Sequence, residues 1–379
     1  MRLRDLGLLI RDSYLAFSQD NVPRLAAALA YYAISSIAPL LFLIVAVAGR
    51  FLGREEVQRQ LVSTIQQSLG TATANFLGGL IDNAARPTTT LVATIIGAVT
   101  VFLTTTAFFV QIQSALNSMW GSNPPPPQSI IRIIATRVIS FAMVLAFGAL
   151  IIVFLVGNTY LSAIAERLGD LIGFGAFFVR IGTFLLSTLL FTPVFAAVFK
   201  FLPDIKLKWR EVWVGAAVTA ALFTLGQVGI GVYFGRTAPG SVYGAASSLF
   251  ILLVWLYYSA LIFFFGAEVT WTYSQHHGSR AGGAQNPDKK AAVAAQGGAV
   301  DPTPTHRERR DAARTPGVPV PPTPDADAPA PPPPHRPSAR TPGLGSVLLR
   351  ALLGLLAVPA VIVLEIFGLA GWVRGRRKG

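Results

Sequence analysis

Six stretches of the chain run for about 20 residues almost without charge, near 27–48, 90–110, 138–156, 181–201, 212–234 and 249–271. That is the length an α-helix needs to cross the hydrocarbon core of a bilayer. Inside lipid every backbone amide must be bonded within its own segment or a closed barrel, so repeated apolar runs of this length predict a helix bundle. Composition agrees: 53% of the 379 residues are hydrophobic and 13% are charged, with a mean hydropathy of +0.55, more apolar than ordinary soluble domains. The net charge of +13 could suggest nucleic acid. The basic residues, however, sit mainly at the edges of apolar runs and in the tail, where topology signals sit, so no nucleic-acid partner is expected. The absence of cysteine excludes disulfides, thiolate metal sites and cysteine nucleophiles.

Positive charge in short connections marks the cytoplasmic side. Arg2, Arg4 and Arg11 precede the first run, Arg132 and Arg137 precede the third, and Lys200, Lys206, Lys208 and Arg210 separate the fourth from the fifth. The alternate connections carry balanced or acidic charge: Arg54, Glu55, Glu56, Arg59, Asp82 and Arg86 in one, Glu166, Arg167 and Asp170 in the next, and Arg236 alone in the last. The expected product is an all-α, polytopic membrane helix bundle with about six spanning helices plus a C-terminal hydrophobic segment, both the N-terminus and the segment after Trp271 being cytoplasmic. Its expected parts are a cytoplasmic amphipathic N-terminal segment (1–23), a six-helix core (24–275), a disordered Pro/Ala-rich cytoplasmic linker (276–344) and a hydrophobic segment with a basic tail (345–379). Within the last, 347–373 is either a seventh span or a re-entrant or interfacial hairpin, because a seventh span would place its basic end outside.

Leu3, Leu6, Ile10, Tyr14 and Phe17 recur at helical spacing beside Arg2, Arg4 and Arg11. They predict an amphipathic helix, either on an anionic membrane face or packed on the protein's own loops. Val57, Leu61, Ile65 and Leu69 share one helical face in the first outer connection, so helices resting on the bundle are expected there. Pro124–Pro127 and Pro331–Pro334 are stiff pieces that cannot continue a helix.

Ionisable residues near membrane segments are costly and therefore informative. Asp20 and Arg24 have the i,i+4 spacing of a helix-face ion pair, either at the mouth of a pathway or at an ordinary boundary. Glu268 lies near the end of the sixth run, and Arg180 marks the expected outer start of the fourth, after an interfacial approach. Gly231 and Gly235, preceded by Gly226 and Gly229, form a small-residue spacing suited to close helix contact. Pro39 and Pro193 lie inside runs and free backbone carbonyls. The four histidines all lie at or beyond position 276, so the bundle is expected to hold no metal site, cofactor or histidine base; no enzyme is expected.

Several blocks carry a family resemblance: Asp20 and the run Arg24 to Tyr32 (Arg-Leu-Ala-Ala-Ala-Leu-Ala-Tyr-Tyr), then Ser36 to Pro39; Ala115-Leu-Asn117 with Trp120; Leu202-Pro-Asp204 with Trp209; and Gly240-Ser-Val-Tyr-Gly244 through Leu253-Val-Trp255-Leu-Tyr257 to Gly266-Ala-Glu268. Over about residues 5–275 the chain resembles the YihY/BrkB family of bacterial inner-membrane proteins. The resemblance implies a six-helix membrane protein with both ends cytoplasmic, and it draws attention to Asp20, Arg24, Tyr31, Pro39, Asp204, Gly240, Tyr243, Gly244, Trp255 and Glu268, as pathway or structural positions. Some family members carry a ribonuclease label, but nucleases cluster metal-binding carboxylates or histidines, and here those residues are dispersed.

The functional expectation is a transporter or exporter in the bacterial cytoplasmic membrane, with a pathway among the first, fifth and sixth spans. Few intramembrane charges suit an amphipathic or lipid-linked substrate. The competing expectation is a membrane scaffold in envelope assembly whose tail recruits a partner. Membrane lipids are expected partners of either, and homo-oligomerisation stays open.

Overall fold

The computed structural model describes residues 3–84, 91–122, 175–237 and 247–315. The third apolar run, both polyproline pieces, the segment carrying Gly240, Tyr243 and Gly244, the linker beyond 315 and the hydrophobic segment 347–373 lie outside them. Among the described residues every regular element is an α-helix. In chain order these are α1 (Leu3–Gln19), α2 (Val22–Leu52), α3 (Arg54–Leu69), α4 (Thr71–Ala84), α5 (Leu91–Met119), α6 (Gly175–Phe201), α7 (Trp209–Thr237), α8 (Ser247–His277), α9 (Asn286–Ala295) and α10 (His306–Arg314).

The long apolar runs become α2, α5, α6, α7 and α8, each 27 to 31 residues long. Three of these helices, α2, α6 and α8, contain windows long and apolar enough to cross a membrane by length and composition. The protein is therefore a helical membrane bundle. α2 runs through Pro39 and α6 through Pro193. α6 also begins earlier than the charge argument placed it: Arg180 lies inside a continuous helix, not at its start.

Two apolar clusters occupy opposite ends of the bundle. One joins the C-terminal half of α2 to α3, α4 and the start of α8 through Leu41, Val45, Val57, Leu61, Leu77, Ile81 and Leu252. The α3–α4 hairpin is thus the expected element resting on the bundle. It turns at Gly53 and Gly70, whose φ of 88° and 86° lie where only glycine is comfortable, and Gln58 donates across it to Asp82 at 2.8 Å. The second cluster gathers Val22 and Ala26 of α2, Leu116 and Met119 of α5, Phe199 of α6, Val212 of α7 and Phe264 and Trp271 of α8. It collects at one end the helix termini that the charge alternation assigned to one side.

Within the second cluster and on its edge α6, α7 and α8 share a ladder of rings, with Phe191 5.2 Å from Phe223, Phe195 5.7 Å from Phe223 and Phe199 5.1 Å from Phe263. The closest approach of α7 and α8 is reciprocal. A Cβ on Gly215 would land on the Thr270 hydroxyl, and one on Gly266 would land on the Thr219 hydroxyl. Each threonine bonds back to the glycine carbonyl four residues earlier in its own helix, at 2.7 and 2.9 Å. Farther along, Gly226 faces Tyr258, whereas Gly229 meets open space. Close packing between α7 and α8 is thus described at Gly215, Gly226 and Gly266.

The expectation of disorder from residue 276 is corrected for residues 276–315. α8 continues through His277, and α9 and α10 fold back over the second cluster, burying Val293, Val300 and Ala312. Pro287 in the first turn of α9 suits a helix start, and Thr305 and Glu308 form a complete capping box for α10. Composition missed this because these residues bury ion pairs in place of a large apolar face.

α1 packs against helices in place of the expected loops: Leu9, Asp12, Ser13 and Ala16 are buried on a face toward α8 and α9. Its expected stripe divides, with Leu6 and Tyr14 exposed, Ile10 half-buried and Phe17 packed against the second cluster.

Overpacking a close-packed seam costs about 1–3 kcal/mol. Gly215→Val and Gly266→Val should each lower the thermal midpoint of the purified protein, while Gly229→Ala should leave it unchanged. Equal midpoints for all three in a fluorescence melt would contradict the seam.

Candidate functional site: a buried lysine between two carboxylates

The end of the bundle covered by α9 contains its most concentrated chemistry. The helix α1 stops at Gln19, and the chain turns through Asn21, held at φ 50°, before Pro23 opens α2. That turn presents Asp20. One end of α5 presents the Met119 carbonyl, and the last third of α8 presents Glu268 and Trp271. Lys289, on the first turn of α9, reaches into the space among them. Its Nζ donates to Asp20 Oδ2 at 2.6 Å, Met119 O at 2.7 Å and Glu268 Oε2 at 2.8 Å. It also stands 4.1 Å from the centre of the Trp271 ring, within cation–π reach. Lys289 is 7% exposed and Glu268 0%.

Lysine has three N–H donors and no acceptor, so this arrangement satisfies it fully. Burial opposes its charge, but Glu268 and Asp20 outweigh burial and hold its pKa above the ordinary lysine value. The carboxylate side is less complete: Glu268 Oε1 is buried with no hydrogen-bond partner.

A second polar layer fixes α9 in place. Trp271 Nε1 donates to Asn286 Oδ1 at 2.8 Å, and Asn286 Nδ2 donates to Glu308 Oε1 at 2.6 Å. Lys290 donates to both Glu308 oxygens at 2.7 and 2.9 Å, all of it buried. Burial pushes the Lys290 ammonium below its ordinary value, against the pull of Glu308. On the α1 side, His276 lies 2.9 Å from the buried Asp12, which also accepts from the Ala299 amide at 2.8 Å. A cavity of about 380 Å³ opens beside that pair, lined by Asp5, Leu8, His276, His277, Arg280 and Asp301.

Three further contacts tie this end together. Asn117 and Asp204 exchange hydrogen bonds, side chain to side chain at 2.7 Å and backbone amide to side chain at 2.9 Å. Trp120 Nε1 donates to the Ala267 carbonyl at 3.2 Å, and Glu211 accepts from the Ser279 hydroxyl and the Lys208 amide.

Comparison with known proteins gives these residues a family setting. A family model described as Virulence factor BrkB matches residues 13–291, a span that includes Asp20, Glu268 and Lys289. The chain belongs to this family. A UPF0761 membrane protein of Rhodospirillum centenum is 28% identical over 276 residues, covering 72% of this chain and 58% of that protein's length. UPF0761 membrane proteins of Mannheimia succiniciproducens and Haemophilus influenzae are 27% and 26% identical, over 71% and 72% of this chain and 90% and 96% of their own. No solved structure matches the chain significantly.

Within the BrkB core the structure joins two of the residues singled out in the sequence, Asp20 and Glu268, through a third that was not. The expected Asp20–Arg24 pair is corrected: the left-handed Asn21 and Pro23 interrupt the helix between them, so Asp20 pairs with Lys289 and Arg24 stands exposed. Tyr31 is 67% exposed and stacks edge-on with Tyr32. Pro39 is half-buried within α2, Asp204 serves the α5–α6 contact, and Trp255 lies against Phe223. Gly240, Tyr243 and Gly244 lie outside the described residues. Lys289, Asn286, Lys290 and Glu308 were missed. Their available signals were the Asn-Pro-Asp start of a helix and the Thr305-to-Glu308 spacing of a capping box.

Removing one partner from a buried ion pair costs about 3–5 kcal/mol, so Lys289→Met should markedly lower the unfolding free energy in detergent at pH 8. Because the folded pKa of Lys289 is raised, its stabilisation is fully present below the ordinary lysine value of 10.5 and lost as pH climbs through the raised value. The gap between wild type and Lys289→Met should therefore narrow in alkali; a constant gap up to the alkaline limit of folding would contradict an ionised Lys289.

Proposed function

We propose that this BrkB-family protein is a six-span transporter or exporter, without enzymatic activity, of the bacterial cytoplasmic (inner) membrane. In this reading the N-terminus and the α9–α10 cover face the cytoplasm. The pathway runs beside α2, α7 and α8, and the substrate is amphipathic or lipid-linked. Membrane lipids surround the protein, nucleic acid is not a partner, and homo-oligomerisation stays open.

The observation that carries this reading is the buried bridge Asp20–Lys289–Glu268. A static bundle end would be more economically closed by apolar packing, since burying charges costs several kcal/mol per ion even when they are paired. Here two acidic groups from different transmembrane helices or their junctions converge on one ammonium carried by a separate short helix. Such a bridge closes one end of the bundle and can open without unfolding a span. The positive ends of the connections gathered at this face, Lys206, Lys208 and Arg210, support its cytoplasmic placement by the charge rule.

Whole-cell uptake and efflux profiles of Asp20→Asn and Glu268→Gln strains, normalised to membrane-inserted protein, test the carrier reading. Altered handling of a defined group of amphipathic compounds is expected; profiles indistinguishable from wild type would remove its support. The scaffold reading separates on truncation. A chain ending at residue 315 keeps the bridge intact, so the carrier should retain its activity, whereas a scaffold acting through the distal tail should lose its phenotype. Truncation at 275 would not discriminate, because it removes Lys289.

A further inference from the structure

The pocket holding the Lys289 side chain has the chemistry of a recognition site. Three oxygens, Asp20 Oδ2, Glu268 Oε2 and Met119 O, each take one N–H of a primary ammonium at 2.6 to 2.8 Å. The Trp271 face covers the cation at 4.1 Å. All four acceptor elements belong to residues 20–271, while the ammonium is supplied from outside the spans, by a ten-residue helix on a loop containing Gly282 and Gly283. Two carboxyl groups face one ammonium: α1–α2 contributes Asp20, α8 contributes Glu268, α5 contributes a carbonyl, and α9 contributes Lys289. Glu268 Oε1 remains buried without a partner, an acceptor left over after Lys289 is fully satisfied.

We infer that this is a binding site for primary alkylammonium groups, occupied in this structure by the protein's own Lys289 as an internal ligand. The external ligand is an ammonium at the end of an unbranched aliphatic chain, which is the shape and charge of the lysine side chain itself. It reaches the site when α9 withdraws and leaves when Lys289 returns. Ammonium groups without N–H, such as quaternary amines, satisfy the π face but none of the three oxygens, and are excluded. This inference rests on the carrier reading for its purpose and assigns the polar end of the substrate; a free amine and an amine-bearing lipid headgroup share that chemistry.

The test uses the full chain in phosphatidylcholine nanodiscs, whose headgroup offers no N–H. Lys289→Ala empties the site, and n-butylammonium should raise its thermal midpoint by several degrees, with n-butanol and tetramethylammonium at equal concentration having no effect. The double variant Lys289→Ala/Glu268→Gln should lose the rescue. Replacing phosphatidylcholine with phosphatidylethanolamine assigns the source: stabilisation without added amine names the lipid headgroup, and rescue by n-butylammonium alone names a soluble amine. A folded Lys289→Ala protein indifferent to both overturns the inference.

Exchange is read on a chain that keeps Lys289. As the protein has no cysteine, spin labels at Ser18→Cys and Ala295→Cys, both on exposed positions, report the separation of α9 from α1. Tens of millimolar n-butylammonium should add a longer-distance population that tetramethylammonium does not. An unchanged distribution makes Lys289 a fixed strut and overturns exchange, even if the alanine variant is rescued. Neither measurement requires transport. An ammonium site in a protein that moves nothing would sink the carrier reading, while transport of compounds lacking N–H by a protein that ignores n-butylammonium would sink this one alone.

Discussion

One ammonium held between two carboxylates sets the organisation of an entire end of this protein. Lys289 draws Asp20 from the α1–α2 turn toward Glu268 of α8 and fills the hollow beside Met119 and Trp271. Without it two acidic groups would face each other in a place water reaches poorly, and one would have to take up a proton or the helices would have to part. Lys289 thus ties α9 to the α1–α2 turn, α5 and α8, while α10 is held by Glu308 and α1 by Asp12 on His276 and the Ala299 amide. The second layer, from Trp271 through Asn286 and Glu308 to Lys290, binds α8, α9 and α10 into one connected unit.

The two ends of the bundle are built on different physics. At the α3–α4 end, the contacts are aliphatic: Leu41, Val57, Leu61, Leu77 and Leu252 interdigitate, and the hairpin is set by two glycine turns. At the α9 end, apolar packing is interleaved with buried charge and with hydrogen bonds from indole groups. At that same end α7 and α8 are held by small residues and back-bonded threonines, the mode expected where lipid supplies little hydrophobic drive between helices. A molecule made this way is stiff along the α7–α8 seam and polar at one mouth.

Much of this was legible in the sequence, and for identifiable reasons. α2, α5, α6, α7 and α8 announce themselves because membrane crossing demands length and apolarity together. α3 is visible in the four-residue spacing of Val57, Leu61, Ile65 and Leu69. Asp20 and Glu268 stand out because charge beside a span is expensive. The partner that explains them was hidden: a lysine in a stretch rich in alanine, glycine and proline reads as solvated, and its burial depends on Trp271 and Met119, 18 and 170 residues away. The short helices α9 and α10 have too little apolar surface to be recognised by periodicity, and only their caps mark them. The expected Asp20–Arg24 pair failed on local backbone geometry, because Asn21 and Pro23 break the helix that would have aligned it. The α7–α8 seam had no motif to mark it, because it rests on single glycines on facing helices, Gly215 and Gly266, that each accommodate a threonine.

The central claim is that Asp20 and Lys289, 269 residues apart, act as a bonded pair that joins the cover to the bundle. A double-mutant cycle on unfolding free energy, comparing wild type, Asp20→Asn, Lys289→Met and the combined variant in the same detergent, measures that pair directly. The structure predicts strong coupling, on the order of 1–3 kcal/mol, with the double variant much less damaged than the sum of the singles. Additive losses would mean that the two residues do not meet, and the bridge with its cover would have to be abandoned.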